Sequence, residues 1–159
     1  MQRNSVEITD LQEICQYYTQ LPYHQWLGLS IENISMDEVT MRFEMHSKFI
    51  GNTLKQILHG GVIASALDAC GGMHALIHAA RDFKAESMDE KIERLSQLST
   101  VDMRVDYLAP GEGSVFSLKS TPLRRGQHIA VFRIDLFNKR QCHIAAAVAS
   151  YFARPLPAR

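Results

Sequence analysis

At 159 residues, 46% apolar and 21% charged, the chain suits one globular domain over residues 1–159 with one sizeable core. Seventeen basic residues balance seventeen acidic ones, which removes the basic excess of a nucleic-acid binder and leaves self-association unopposed by charge. Cys15, Cys70 and Cys142 are odd in number, widely spaced and free of any Cys-x-x-Cys pattern, and the N-terminus carries no apolar run. These features predict a reduced, cytoplasmic protein without a signal peptide.

In chain order, residues 8–21 have the apolar spacing of an amphipathic helix, with Leu11, Ile14, Cys15 and Tyr18 on one side, Thr9 or Asp10 as cap, and Pro22 as its end. Residues 26–34 and 39–45 read as two strands around a turn at Ser35-Met36-Asp37-Glu38. Residues 49–57 read as a loop. A long helix is then predicted over about 59–80, with Val62, Ile63, Ala66, Leu67, Cys70, Met73, Leu76 and Ile77 at helical spacing and almost no charge. Its one acid, Asp68, makes a membrane span costly by roughly 2.5 to 3.5 kcal/mol, so a buried core helix is expected. An inserted, charged segment at about 81–99 carries the capping-box pattern Ser87-Met88-Asp89-Glu90 before a short helix at about 89–97. The remainder reads as β: strands at 101–107, 115–121, 129–137 and 143–153, with turns at Pro110–Gly113, Arg124–Gln127 and Asn138–Arg140. Strands with tight turns around one central helix give an α+β class with antiparallel pairing.

Two features suggest chemistry. Gly60 and Gly61 open the long helix, where the first N–H groups have no intrahelical partner and the helix dipole is positive. Without Cβ atoms in the way, this is a ready oxyanion site. Asp68 has only Ala64, Ser65, Gly71 and Gly72 at helical neighbour positions, so its carboxylate faces open space with no cation on its own face. Such a group can act as general base or attack directly. The same residues could instead start a helix and cap a neighbouring loop.

The run Asn52…Leu58-His59-Gly60-Gly61-Val62-Ile63-Ala64-Ser65-Ala66-Leu67-Asp68, the run Thr100-Val101-Asp102-Met103-Arg104-Val105-Asp106-Tyr107-Leu108-Ala109-Pro110-Gly111, and the Arg124-Arg125-Gly126-Gln127 turn together resemble the PaaI-type hotdog-fold thioesterases. The likeness covers residues 26–153 and is greatest to their bacterial YigI-type branch. The resemblance implies a curved antiparallel sheet wrapped around one long central helix, in a homodimer joined sheet edge to sheet edge and often paired again as a dimer of dimers. It implies sites with residues from both protomers. In that reading Asp68 is base or nucleophile, the Gly60 N–H holds the thioester carbonyl oxygen, and His59 positions that carbonyl or the loop. Asn52 orients water or the thioester, and Thr100 holds the water or the carboxylate. The segment 81–99 is then either part of an acyl tunnel or a surface insertion.

Arg124, Arg125 and Gly126 are candidates for CoA phosphate contacts, since guanidinium groups match phosphate; a solvated turn is the plainer alternative. Cys70, His74 and His78 share a helix face, but three ligands over two turns fit one zinc ion poorly, so packing is expected, with no metal and no cofactor beyond the CoA of the substrate. The expected activity is hydrolysis of a medium- to long-chain fatty acyl-CoA, the seven methionines suiting a flexible chain. Two alternatives are a non-catalytic acyl-CoA binding or sensing protein and a hotdog enoyl-CoA hydratase.

Overall fold

The computed structural model describes residues 8–80 and 87–152. Helix α1 (Ile8–Thr19) buries Ile14, Cys15 and Tyr18, the side its apolar spacing selects. The Thr9 and Asp10 side chains proposed to cap it, and residues 81–86 of the inserted segment, lie outside what is described. Pro22 does more than stop α1. It opens a second helix, α2 (Pro22–Leu27), where its missing N–H is tolerated, and Gly28 closes that helix in the left-handed region at φ 66°. The first strand, β1 (Ser30–Ile34), therefore begins four residues later than expected.

Strand β2 (Val39–Glu44) alternates buried Val39, Met41 and Phe43 with more open Thr40, Arg42 and Glu44, as its period-two pattern requires. The presumed loop after it is ordered as a 3₁₀ turn (Ser47–Phe49) and a small hairpin of β3 (Ile50–Asn52) and β4 (Ile57–Leu58). Helix α3 (Gly60–Ala80) follows. Then comes α4 (Met88–Leu95), with the expected capping box formed: the Glu90 N–H donates to Ser87 Oγ at 3.3 Å, and the Ser87 N–H donates to the Glu90 carboxylate at 2.9 Å. The last four strands are β5 (Ser99–Tyr107), β6 (Val115–Arg125), β7 (Ile129–Asn138) and β8 (His143–Phe152). β6 runs past the expected stop at Thr121, because a register shift at Pro122 lets pairing continue to Arg125 against Ala130. Arg124 and Arg125 thus lie on a strand rather than in the turn, which is residues 126–128.

The strands form one antiparallel sheet in the order β1-β2-β6-β7-β8-β5, with β3-β4 apart. This is the hotdog fold: the sheet wraps α3, and Phe116, Leu118, Phe132, Ile134 and Leu136 fill the space between with essentially no exposure. Each such side chain contributes about 1.5 to 3 kcal/mol on burial. α3 is long and apolar enough to cross a membrane by length and composition, but fifteen of its 21 residues are buried. Inward-facing Ala145, Ala147 and Ala149 on β8 let the helix approach closely. Among the described residues β5 lies at one edge and pairs only with β8.

Candidate active site

Asp68 sits midway along α3, half-buried, on the wall of a cavity of about 150 Å³ shared with Tyr18, Tyr23, His24, Ser65 and Thr100. Its Oδ1 accepts the Thr100 hydroxyl at 3.0 Å and the Tyr151 phenol at 3.1 Å. No donor reaches Oδ2 among the described residues. Tyr151 also meets the Asp68 carbonyl at 3.0 Å, and the Tyr18 phenol donates to the Ala69 carbonyl at 2.9 Å. Both phenols are buried. Burial first, and then the Asp68 charge, pushes their acidity far above the ordinary phenol range, so both stay protonated donors.

Gly71 and Gly72 make this approach feasible. A Cβ on Gly71 would collide with the Tyr151 hydroxyl, and one on Gly72 would come within 2.5 Å of the Tyr18 hydroxyl. Two glycines inside a helix each cost about 0.5 to 1 kcal/mol against alanine, and here they make room for phenols beside the acid.

The helix mouth is built from backbone. The Gly51 carbon lies so close to His59 that an added Cβ would be 2.6 Å from His59 Cα, and the His59 N–H donates to the Phe49 carbonyl at 2.7 Å. The hairpin thereby fixes where α3 starts. The His59 ring caps the helix: its Nδ1 accepts the Gly61 N–H at 2.9 Å, and the His59 carbonyl accepts the Val62 N–H at 3.0 Å. Of the two glycine amides, Gly61 is engaged, and Gly60 has no acceptor among the described residues. Asn52 caps the hairpin turn, its Oδ1 accepting the N–H groups of Leu54 and Lys55 at 3.1 and 3.0 Å. The Tyr107 phenol closes the other side by donating to the Gly60 carbonyl at 3.0 Å.

The five site candidates thus fall into two groups. Asp68 and Thr100 are in contact; Asn52, His59 and Gly60 gather at the mouth. Gly60 and Asp68 are eight residues apart on one helix, about 12 Å at roughly 1.5 Å per residue.

The thioesterase superfamily pattern matches residues 55–142, a span that contains both groups apart from Asn52. The chain belongs to the thioesterase superfamily. It is 40% identical over 131 residues to an Escherichia coli protein named medium/long-chain acyl-CoA thioesterase YigI, covering 82% of this chain and 84% of that one. A crystal structure from Shewanella oneidensis, described as related to the thioesterase superfamily, superposes with a TM-score of 0.85 at 36% identity, over 94% of this chain and 99% of that one. The E. coli PaaI protein, at 14% identity over 95% of this chain and 97% of that one, shares the fold with a TM-score of 0.74.

The remaining candidates lie at the far end of this thioesterase's helix. Arg125 pairs with Asp37 and the Met36 carbonyl, which closes the β1–β2 turn, and Gly126 accepts from His78 at 3.1 Å. Arg124 is exposed and has no ion pair among the described residues. His74 is buried between Ser120 Oγ (2.9 Å) and the Met36 carbonyl (3.2 Å), and burial holds its imidazole below the ordinary histidine value. Cys70 points to the Val39 carbonyl. These three helix residues therefore anchor α3 to β2, to β6 and to the turn after β6, and among the described residues no group of three or more His, Cys, Asp or Glu converges as a metal site. Tyr151, Tyr18 and Tyr107 were not legible as site residues. The available sign was Gly71-Gly72, two glycines in a buried helix that require a close neighbour.

Proposed function

We propose that this chain hydrolyses medium- to long-chain fatty acyl-CoA to free acid and CoA, with Asp68 as general base, in a site closed between two copies of the chain. The observation that carries this is the Asp68 carboxylate: one oxygen is held by two hydroxyls, and the other is left for water. Oδ2 takes a proton as the water oxygen attacks the thioester carbon. The carbonyl oxygen becomes an oxyanion and meets a Gly60 N–H at the positive end of a helix. Collapse breaks the C–S bond, and the proton held on Asp68 passes to the departing CoA sulfur.

The split between Asp68 and Gly60 supports a second copy in the site. Reacting atoms must come within about 3 to 3.5 Å, and about 12 Å of helix separates the two groups in one chain. β5 offers the closure. Its first residues touch Asp68 through Thr100, and its last touches Gly60 through Tyr107. Its outer edge is unpaired among the described residues, and Val101 and Tyr107 are 58% and 56% exposed. A two-fold axis near the middle of β5 would lay two such edges antiparallel. It would set the Asp68 end of one copy against the Gly60 end of the other, completing two sites at once.

Chain length is supported by the name of the E. coli relative. The 150 Å³ cavity suits the reacting group and a water, so the acyl chain is assigned to the interface between copies. Arg124 is the cation left for CoA phosphates. Three unpaired cysteines, two of them buried, support a reducing cytoplasmic setting. The test is thiol release across an acyl-CoA length series. The reading expects turnover that rises from short to medium and long chains and is lost in Asp68→Asn; full turnover in that variant would overturn it.

A further inference from the structure

We infer that Tyr151 is a positioning residue for this hydrolysis: its phenol holds Oδ1 of Asp68 so that Oδ2 is presented to the attacking water. The inference rests on the reading of Asp68 as the base.

The terminal torsion of an aspartate is broad, so packing along the side chain does not by itself decide which carboxylate oxygen faces the cavity. Hydrogen bonds must decide it. Tyr151 is unusually placed to do so, because its hydroxyl lies 3.0 Å from the Asp68 carbonyl and 3.1 Å from Oδ1. Its single O–H proton is shared between these two acceptors, so the phenol ties Oδ1 to the main chain of the residue it orients. Thr100 bonds the same oxygen from an exposed edge strand, beside a register shift between Thr100 and Asp102. Tyr151 instead stands on β8, paired on both sides by β5 and β7, and is 1% exposed. It is the stiffer of the two donors, while Thr100 can adjust.

Tyr151 itself does not exchange the proton, since burial and the adjacent carboxylate keep the phenol protonated. Its part resembles that of the third group in a nucleophile–base–orienter arrangement. Gly71 belongs to the same device, because a side chain there would occupy the space of the phenol oxygen.

The experiment is a double-mutant cycle on the full chain with acyl-CoA. Tyr151→Phe keeps the ring and removes the hydroxyl. The expected result is a kcat lower by about tenfold or more, the scale of a hydrogen bond to a charged group, with KM within about twofold. Added to Asp68→Asn, it should leave the residual rate unchanged, because the group through which it acts is gone. A structural role would lower the rate by the same factor in both backgrounds, and that result overturns the inference. So does wild-type kcat in Tyr151→Phe when Asp68→Asn is inactive. Full activity in Asp68→Asn instead overturns the base itself. If thermal melting shows Tyr151→Phe to be partly unfolded, the cycle is run at a lower temperature at which every variant is fully folded, and is judged by the same outcomes.

Discussion

The helix mouth and the Asp68 pocket lie on one helix and are built in opposite ways. At the mouth the proposed working group is a main-chain N–H. The side chains there, His59 and Asn52, saturate neighbouring amides and fix a hairpin, which leaves Gly60 as the open donor. In the pocket the proposed working group is a side chain, and residues from α1, α3, β5 and β8 surround it. One region can stabilise a developing negative charge and the other can accept a proton. Neither does both, which is why the proposed site takes one end from each of two copies.

That contrast can be broken at either end. Asp68→Asn removes the proton acceptor and keeps the shape; kcat for acyl-CoA hydrolysis should fall by about 10²- to 10⁴-fold, the scale of a general base, with the melting temperature held. Gly60→Pro is the matching change at the mouth. Proline is welcome at the first helical position, so the helix should survive while its open N–H disappears, and a kcat loss of about 10²- to 10³-fold is expected. Gly71→Ala acts on the pocket indirectly, by driving the Tyr151 phenol off its seat. Overpacking of about 1 to 3 kcal/mol should lower the melting temperature along with the rate. Arg124→Ala should raise KM a few-fold, as loss of an exposed phosphate contact would, without changing kcat.

Much of this was readable from the chain. The charge-free run around Asp68 announced a buried helix, period-two alternation placed β2, and Ser87 with Glu90 announced the cap of α4. The His-Gly-Gly opening and Asp68 marked the two ends of the proposed site. What the chain did not reveal came from cap and hairpin geometry and from one long-range contact. Pro22 starts a helix because Gly28 is there to close it. The 50–58 hairpin exists because Gly51 packs on His59. Tyr151 becomes a site residue only when β8 brings it across 83 positions to Asp68. Local pattern also showed Gly60 and Asp68 as one site, whereas helix rise sets them two turns apart.

A smaller effect concerns stability at the far end of α3. His74 is held neutral by burial, so its folded value lies below the ordinary one of about 6.5. The stability it supports is full above that ordinary value and is lost as pH falls through the lowered one. The melting temperature should drop as pH falls below about 6.5, and His74→Gln should flatten that dependence.

The most direct test of the shared site mixes two dead proteins. Asp68→Asn and Gly60→Pro are each purified, combined in equal amounts, and allowed to exchange copies through mild denaturation and refolding. If Asp68 of one copy works with Gly60 of the other, half the dimers are mixed and each of these carries one intact site, so about a quarter of wild-type thiol release should return. If both groups serve a site within a single chain, no mixed assembly regains an intact site, and the mixture stays as inactive as its parts.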